Sequence, residues 1–230
     1  MVEAKHLSFH KLLVISLVIV AAMTALSVYA WLALPLDAQL PIHWNIDGVP
    51  DRYAGKALAL SLLPANALLI ALVFALIPKL EPRRAHLLMS SKAYGAFWLA
   101  MIGLFAVLHV GLVLLALGPG FKLTPLFGLG LGILFMVMGN FLGKVRSNFF
   151  FGIRTPWTLS SDHVWDRTHR MGGLAFFLLG AILLASALLL RPSVFFWVLI
   201  TGVLAVTLFV VVYSYGLWRL QQRHEDRNDV

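Results

Sequence analysis

Leu12-Leu13-Val14-Ile15-Ser16-Leu17-Val18-Ile19-Val20-Ala21-Ala22-Met23-Thr24-Ala25-Leu26-Ser27-Val28-Tyr29-Ala30-Trp31-Leu32-Ala33-Leu34 is the stretch that decides the fold. It holds no charged side chain. A helix rises about 1.5 Å per residue, so about 20 such residues match the hydrocarbon core of a bilayer. Only structures that satisfy their own backbone hydrogen bonds cross that core, and a barrel strand would alternate polar and apolar residues. The stretch therefore predicts a membrane-spanning helix. Lys5 and Lys11 precede it as they would in a secretory signal. A signal's apolar region is only about 7–15 residues long, so this is read as an uncleaved first span in which Val28-Tyr29-Ala30 merely resembles a cleavage site.

Similar runs recur near 57–77, 95–117, 125–142, 173–190 and 194–217. The whole chain agrees, being 60% hydrophobic and 12% charged where a soluble domain carries about 25% charge. Its mean hydropathy is +0.88. The expected fold is all-α, a polytopic integral membrane protein of six transmembrane helices plus a cytoplasmic interfacial amphipathic helix. Pro119, Gly120 and Pro125 interrupt the approach to the fourth span, which holds Gly128, Gly130, Gly132 and Gly139. Gly128 and Gly132 form a small-xxx-small pair suited to close helix packing, with a pore lining as the rival reading. The last two spans are joined by Leu190-Arg191-Pro192-Ser193, a tight helical hairpin.

Charge sets the orientation. With the N-terminus inside, the inner segments carry Lys5, Lys11, Lys79, Arg83, Arg84, Lys92, Lys144, Arg146, Arg154, Arg167, Arg170, Arg219, Arg223 and Arg227, fourteen of eighteen Lys and Arg. Only Arg52, Lys56, Lys122 and Arg191 fall outside. The positive-inside rule then places both termini in the cytoplasm. The net charge of +8 thus reflects topology. No basic block is interleaved with aromatics as phosphate tracking requires, so no direct nucleic-acid partner is expected. The absence of cysteine rules out disulfides and Cys-type metal sites.

Two connecting segments are too rich in special residues to be ordinary loops. In the outer one, 35–56, Asp47-Gly48 is a turn signal and Pro50 fixes the backbone after it. Trp44 and Tyr53 are aromatics of the kind found at headgroup depth. One reading is an interfacial connector. The sharper one is a recognition surface in which His43, Asn45, Asp51, Tyr53 and Lys56 offer donors and acceptors. A metal site of His43, Asp47 and Asp51 is a third, although the spacing matches no established pattern. In the inner segment, 140–173, Ser160 or Ser161 is suited to cap a helix that Asp162 enters. His163, Asp166, Arg167 and Arg170 then share a polar face, and Val164, Trp165, Thr168 and Met171 the other. This predicts an amphipathic surface helix ending at Gly172-Gly173, with Asp166 and Arg170 as an i, i+4 pair. The basic residues alternatively serve only topology and anionic headgroups.

Asn148 through Gly152, then Ile153-Arg154-Thr155-Pro156-Trp157-Thr158-Leu159-Ser160, Val164-Trp165 and Thr168-His169-Arg170, resemble the signature of SdpI-family bacterial immunity proteins. Pro41-Ile42-His43-Trp44-Asn45, with Gly48, Pro50-Asp51 and Lys56, resembles an uncharacterised membrane segment often found N-terminal to it. The resemblance implies two units: a two-helix membrane segment over 1–94 and a four-helix domain over 95–230. It implies an inner-membrane protein that protects its host against a secreted peptide toxin, and it raises a second role of holding a cytoplasmic transcriptional repressor at the bilayer. On that basis Asn148, Gly152, Arg154, Thr155, Pro156, Trp157, Trp165, His169 and Arg170 are the candidate partner-binding residues. His43, Trp44, Asn45, Asp51, Tyr53 and Lys56 are the candidate ligand-binding residues outside.

Two other classes compete. A transporter or exporter would usually place ionisable groups within its spans, and here only Asn66, His109 and Asn140 are notably polar. A helix–helix hydrogen bond is the preferred role for His109. A membrane enzyme would need His163, Asp166 and His169 to act together, yet His169 lies six residues from His163 on another face, and no nucleophile elbow surrounds Ser160 or Ser161. No cofactor and no enzymatic activity are expected.

Overall fold

The computed structural model describes residues 9–118 and 120–228. Lys5 and Pro119, used above, lie outside them, as does the side chain of Arg227. Six long helices carry the chain: α1 (Phe9–Ala33), α2 (Lys56–Leu80), α4 (Ser91–Leu117), α5 (Leu123–Leu142), α7 (Asp162–Leu189) and α8 (Pro192–Asn228). Each is long and apolar enough to cross a membrane. The protein is an all-α polytopic membrane protein. A short α3 (Arg84–Met89) and α6 (Pro156–Ser160) lie between the long helices.

The helices pack in sequence. α4 touches α1 and α2 on one flank and α5 on the other, α5 packs along α7, and α7 along α8. The α5–α7 seam is the closest, and glycine is the reason. A Cβ on Gly139 would lie 2.4 Å from the Phe177 nitrogen and 2.5 Å from the Gly173 carbonyl, and one on Gly180 would lie 2.6 Å from the Gly132 carbonyl. In lipid, where apolar side chains gain little by leaving the solvent, such backbone approach is what holds helices together.

α2 contains Pro64 and Pro78. A proline has no N–H, so the carbonyls four residues earlier, Leu60 and Phe74, lose their helical donors. Neighbouring helices replace both. Ser27 of α1 donates its hydroxyl to Leu60 O at 2.9 Å, and Tyr94 of α4 donates to Phe74 O at 2.7 Å. The Tyr94 ring meanwhile packs against Phe9, Phe74, Trp98 and Phe151. His109 of α4 is fully buried, with Nε2 3.0 Å from both Met23 O and Ser27 Oγ. It makes the interhelical hydrogen bond expected of it.

One expectation is corrected, and one segment gains regular structure. The segment over 35–56 is more than an irregular loop. It contains an antiparallel ribbon of β1 (Gln39–Trp44) and β2 (Pro50–Gly55), with the predicted turn at Asp47-Gly48 and Gly48 at φ 73°. Moreover, the amphipathic helix does not stop at Gly172-Gly173. It is the first part of α7, which continues unbroken to Leu189. The glycines break nothing because the helix is braced on both sides: a Cβ on Gly173 would meet the Gly139 carbonyl of α5, and one on Gly172 would meet Ile153 and Val210. Asp166 accordingly faces Arg146 at 4.0 Å, across from the connecting segment, instead of forming the expected pair with Arg170.

Candidate functional site

The segment between α5 and α7 folds around Asn148, which is fully buried. Its amide nitrogen donates to Arg146 O (2.8 Å) and Phe151 O (2.9 Å), while its Oδ1 accepts from the Phe150 and Phe151 amides (3.0 and 2.7 Å). An asparagine side chain offers two donors and a two-lone-pair acceptor, so every capacity is used. The chain then turns through Gly152 at φ 121°, where a Cβ would stand 2.4 Å from His169 Nε2. Only glycine fits there.

His169 fixes the next step. Its Nε2 accepts from the Ile153 amide at 3.0 Å and its Nδ1 donates to Trp165 O at 2.9 Å. An amide can only donate, so the ring is the neutral tautomer protonated on Nδ1. Trp165 stacks on this ring at 3.9 Å between centroids and donates its indole N–H to Val145 O at 2.7 Å. Thr155 and Thr158 form a capping box that starts α6, and the Thr155 hydroxyl meets Ser214 of α8 at 3.2 Å. Ser161 caps α7 and donates to Gln221 Oε1 at 2.7 Å, while Trp157 packs on Tyr215. α8 is 37 residues long. At about 1.5 Å per residue it outruns a hydrocarbon core of about 30 Å, so its end stands clear of the membrane and braces this segment.

A second brace was not anticipated from sequence. The link from α2 to α4 clasps residues 145–149. Buried Glu81 accepts from the Phe149 amide at 3.0 Å through one carboxylate oxygen and from the Arg83 amide at 2.8 Å through the other. Arg83 donates to the Ser147 hydroxyl and lies over the Phe149 ring. His86 Nδ1 donates to Ser147 O at 2.8 Å, and the Arg146 amide donates to Ser90 Oγ at 2.9 Å.

The nine candidate partner-binding residues therefore divide. Asn148, Thr155, Trp165 and His169 are buried and spend their hydrogen bonds inside the protein, and Gly152 shapes the turn. Arg154, Pro156 and Arg170 are exposed and Trp157 is half-buried. Arg154 donates to Phe149 O at 2.6 Å and stays at the surface. His163 is exposed while His169 is sealed, so the His163, Asp166 and His169 cluster does not form. Among the described residues no three His, Cys, Asp or Glu gather as metal ligands, His43, Asp47 and Asp51 included.

The six ligand-binding candidates on the opposite side divide likewise. Asn45 Oδ1 accepts from the Asp47 and Val49 amides, both at 3.0 Å, and builds the turn. Lys56 is buried, donating Nζ to Trp31 O (2.8 Å) and Leu34 O (2.9 Å) over the Trp31 ring, and so caps the end of α1. His43 Nδ1 and Asp51 Oδ1 pair at 2.6 Å across the exposed ribbon, and Tyr53 is exposed. The ribbon's tip leans on the far half of the bundle, where a Cβ on Gly48 would meet Thr124 and Pro192. Beneath the ribbon lies an apolar cavity of about 290 Å³ between α2 and α5, on the Leu108 and Leu112 face of α4. His43 and Trp44 form part of its roof, and Trp44 also lines a neighbouring cavity of about 490 Å³.

One comparison with other proteins falls on the braced segment. The SdpI/YfhL protein family matches residues 144–214, which begin at the Asn148 turn and end at the α8 serine that meets Thr155. This chain carries the SdpI/YfhL family segment. A domain of unknown function (DUF1648) matches residues 18–68, which hold the β1–β2 ribbon. The chain is 27% identical over 172 residues to a Bacillus subtilis (strain 168) protein named "Immunity protein SdpI", covering 74% of this chain and 78% of that one. No solved structure matches. In SdpI/YfhL terms, the matched segment supplies the cap, turn and stacked rings, whereas the clasp from Glu81 to Ser90 lies outside both matched regions.

Proposed function

We propose that this chain is a bacterial inner-membrane immunity protein that protects its cell against a secreted peptide toxin by binding it, and that it is not an enzyme. Its termini and SdpI/YfhL segment face the cytoplasm and its ribbon faces outward, as the distribution of Lys and Arg favours. The observation that carries the reading is the ribbon poised over an apolar cavity on the outer side of a chain similar to a named immunity protein. His43, Asp51 and Tyr53 present exposed polar and aromatic groups on the ribbon, and His43 and Trp44 line the cavity. The unit over 1–94 supplies the ribbon and the clasp from Glu81 to Ser90, and the unit over 95–230 supplies the cytoplasmic segment that the clasp holds. Exposed Arg154, Pro156 and Arg170 form the surface that would hold a cytoplasmic repressor, with Asn148, His169 and Trp165 keeping that surface in shape.

Deleting the gene should sensitise cells to the cognate peptide, and a copy bearing His43→Ala and Tyr53→Ala should restore less protection at equal protein level. Full survival of the deletion strain under the cognate peptide would end the proposal.

A further inference from the structure

We infer that the cavity under the ribbon is a receptor for one bulky apolar side chain, an aromatic ring above all, presented by an extended peptide lying in the outer leaflet. This rests on the immunity reading for the peptide's origin, but its chemistry comes from the cavity itself. Ala59, Leu62 and Leu63 lie in the first turns of α2, Phe127 in the first turns of α5 and Phe196 in those of α8, so the walls belong to the outer ends of these helices. The cavity therefore opens at the depth where a surface-bound peptide places its side chains.

Size and charge choose the occupant. A cavity of about 150 Å³ holds a benzene ring, so about 290 Å³ takes about twice that, enough for an indole but short of a whole phospholipid chain. Among the described residues no Lys or Arg lines this cavity to meet a lipid phosphate, although Lys122 lines the adjoining one, which shares Trp44, Leu123 and Thr124 with it. Lys56, the cation at the start of α2, is buried with its ammonium committed to Trp31 O and Leu34 O. The polar groups at hand, Thr124 and His43, suit a peptide backbone. The ribbon is only two strands wide, so β1 and β2 each keep one edge unpaired by a strand, the kind of template to which an extended peptide adds.

The chain lacks cysteine, which permits a direct test on the full protein in phosphatidylglycerol–phosphatidylcholine vesicles. Thr124→Cys places a thiol at the cavity rim, and its rate of modification by a maleimide reports occupancy. The probe is an apolar peptide of about ten residues, strand length, with one tryptophan, compared with its alanine counterpart. At about five times its dissociation constant the tryptophan peptide should slow labelling about sixfold. The alanine peptide should have little effect, and Leu63→Trp, which fills the cavity from within, should abolish the protection. Leu62→Trp is the second filling variant should the first fail to fold. Equal protection by the two peptides, or none by either, would overturn the inference. Labelling that follows the vesicles' acyl-chain length and ignores the peptides would overturn it in favour of a lipid occupant. Tryptophan-dependent protection alongside unchanged survival of the deletion strain would instead sink the immunity reading and leave the receptor standing.

Discussion

Tyr94→Phe removes one hydroxyl and nothing else. The ring is fully buried among Phe9, Phe74, Trp98 and Phe151, and phenylalanine keeps those contacts. What is lost is the 2.7 Å bond to Phe74 O, a carbonyl deprived of its helical donor by Pro78. Interhelical hydrogen bonds in membranes average about 0.6 kcal/mol and reach about 1.7 kcal/mol. Stranding a buried acceptor costs about 1–3 kcal/mol. The expected loss is therefore about 1–2 kcal/mol, at the upper end of the membrane range, because no water reaches the orphaned carbonyl. The same change should cost less than about 0.5 kcal/mol in a Pro78→Ala background, where the alanine returns a backbone N–H to Phe74 O. Reversible unfolding in bicelles, run as a double-mutant cycle, measures both. An equal Tyr94→Phe cost in the two backgrounds would refute the idea that the tyrosine substitutes for the proline's missing donor.

Three further outcomes follow from the same bookkeeping of backbone groups. Gly152→Ala should destabilise by about 1–3 kcal/mol in thermal unfolding, since it combines a left-handed backbone with a Cβ 2.4 Å from His169 Nε2. Asn148→Ala should cost about 1–3 kcal/mol by stranding two backbone amides, whereas Arg154→Ala at the surface should change stability by less than about 0.5 kcal/mol. Gly139→Leu should force α5 and α7 apart at a cost of about 1–3 kcal/mol, read as lost resistance to detergent, while Gly103→Leu, where a Cβ meets nothing within 4 Å, serves as the mild control.

The spans were legible in the sequence because lipid imposes one rule on every residue it touches, and each apolar run obeys it. Their ends were less so: α4 starts at Ser91 and α8 runs on to Asn228, beyond the apolar runs, and α8 is held as far as Gln221 by Ser161. The turn at Asp47-Gly48 was readable from local chemistry, but the strands flanking it were not, since short stretches with Pro41 and Pro50 show no clean alternation. Gly172-Gly173 misled for a physical reason. In water a glycine pair weakens a helix, but against Gly139 it lets two backbones touch, so the helix gains from it. At the candidate site, local chemistry left the cap between Ser160 and Ser161, of which α7 uses Ser161, and spacing gave the polar face of His163, Asp166, Arg167 and Arg170, exposed except for half-buried Asp166. The motif marked Asn148, Trp165 and His169 without distinguishing residues that hold a shape from residues that meet a partner. Only burial makes that distinction. Glu81 and Ser90 were invisible because their partners lie 68 and 56 residues away.

The arrangement of the two faces is open to one direct measurement. Because the chain has no cysteine, Ile46→Cys on the ribbon tip and Ser160→Cys at the end of α6 can be made singly and exposed, in intact cells, to a maleimide that does not cross membranes. Modification of the thiol at position 46 and protection of that at 160 until the cells are opened is the predicted result. The reverse pattern would place the ribbon in the cytoplasm and contradict the account.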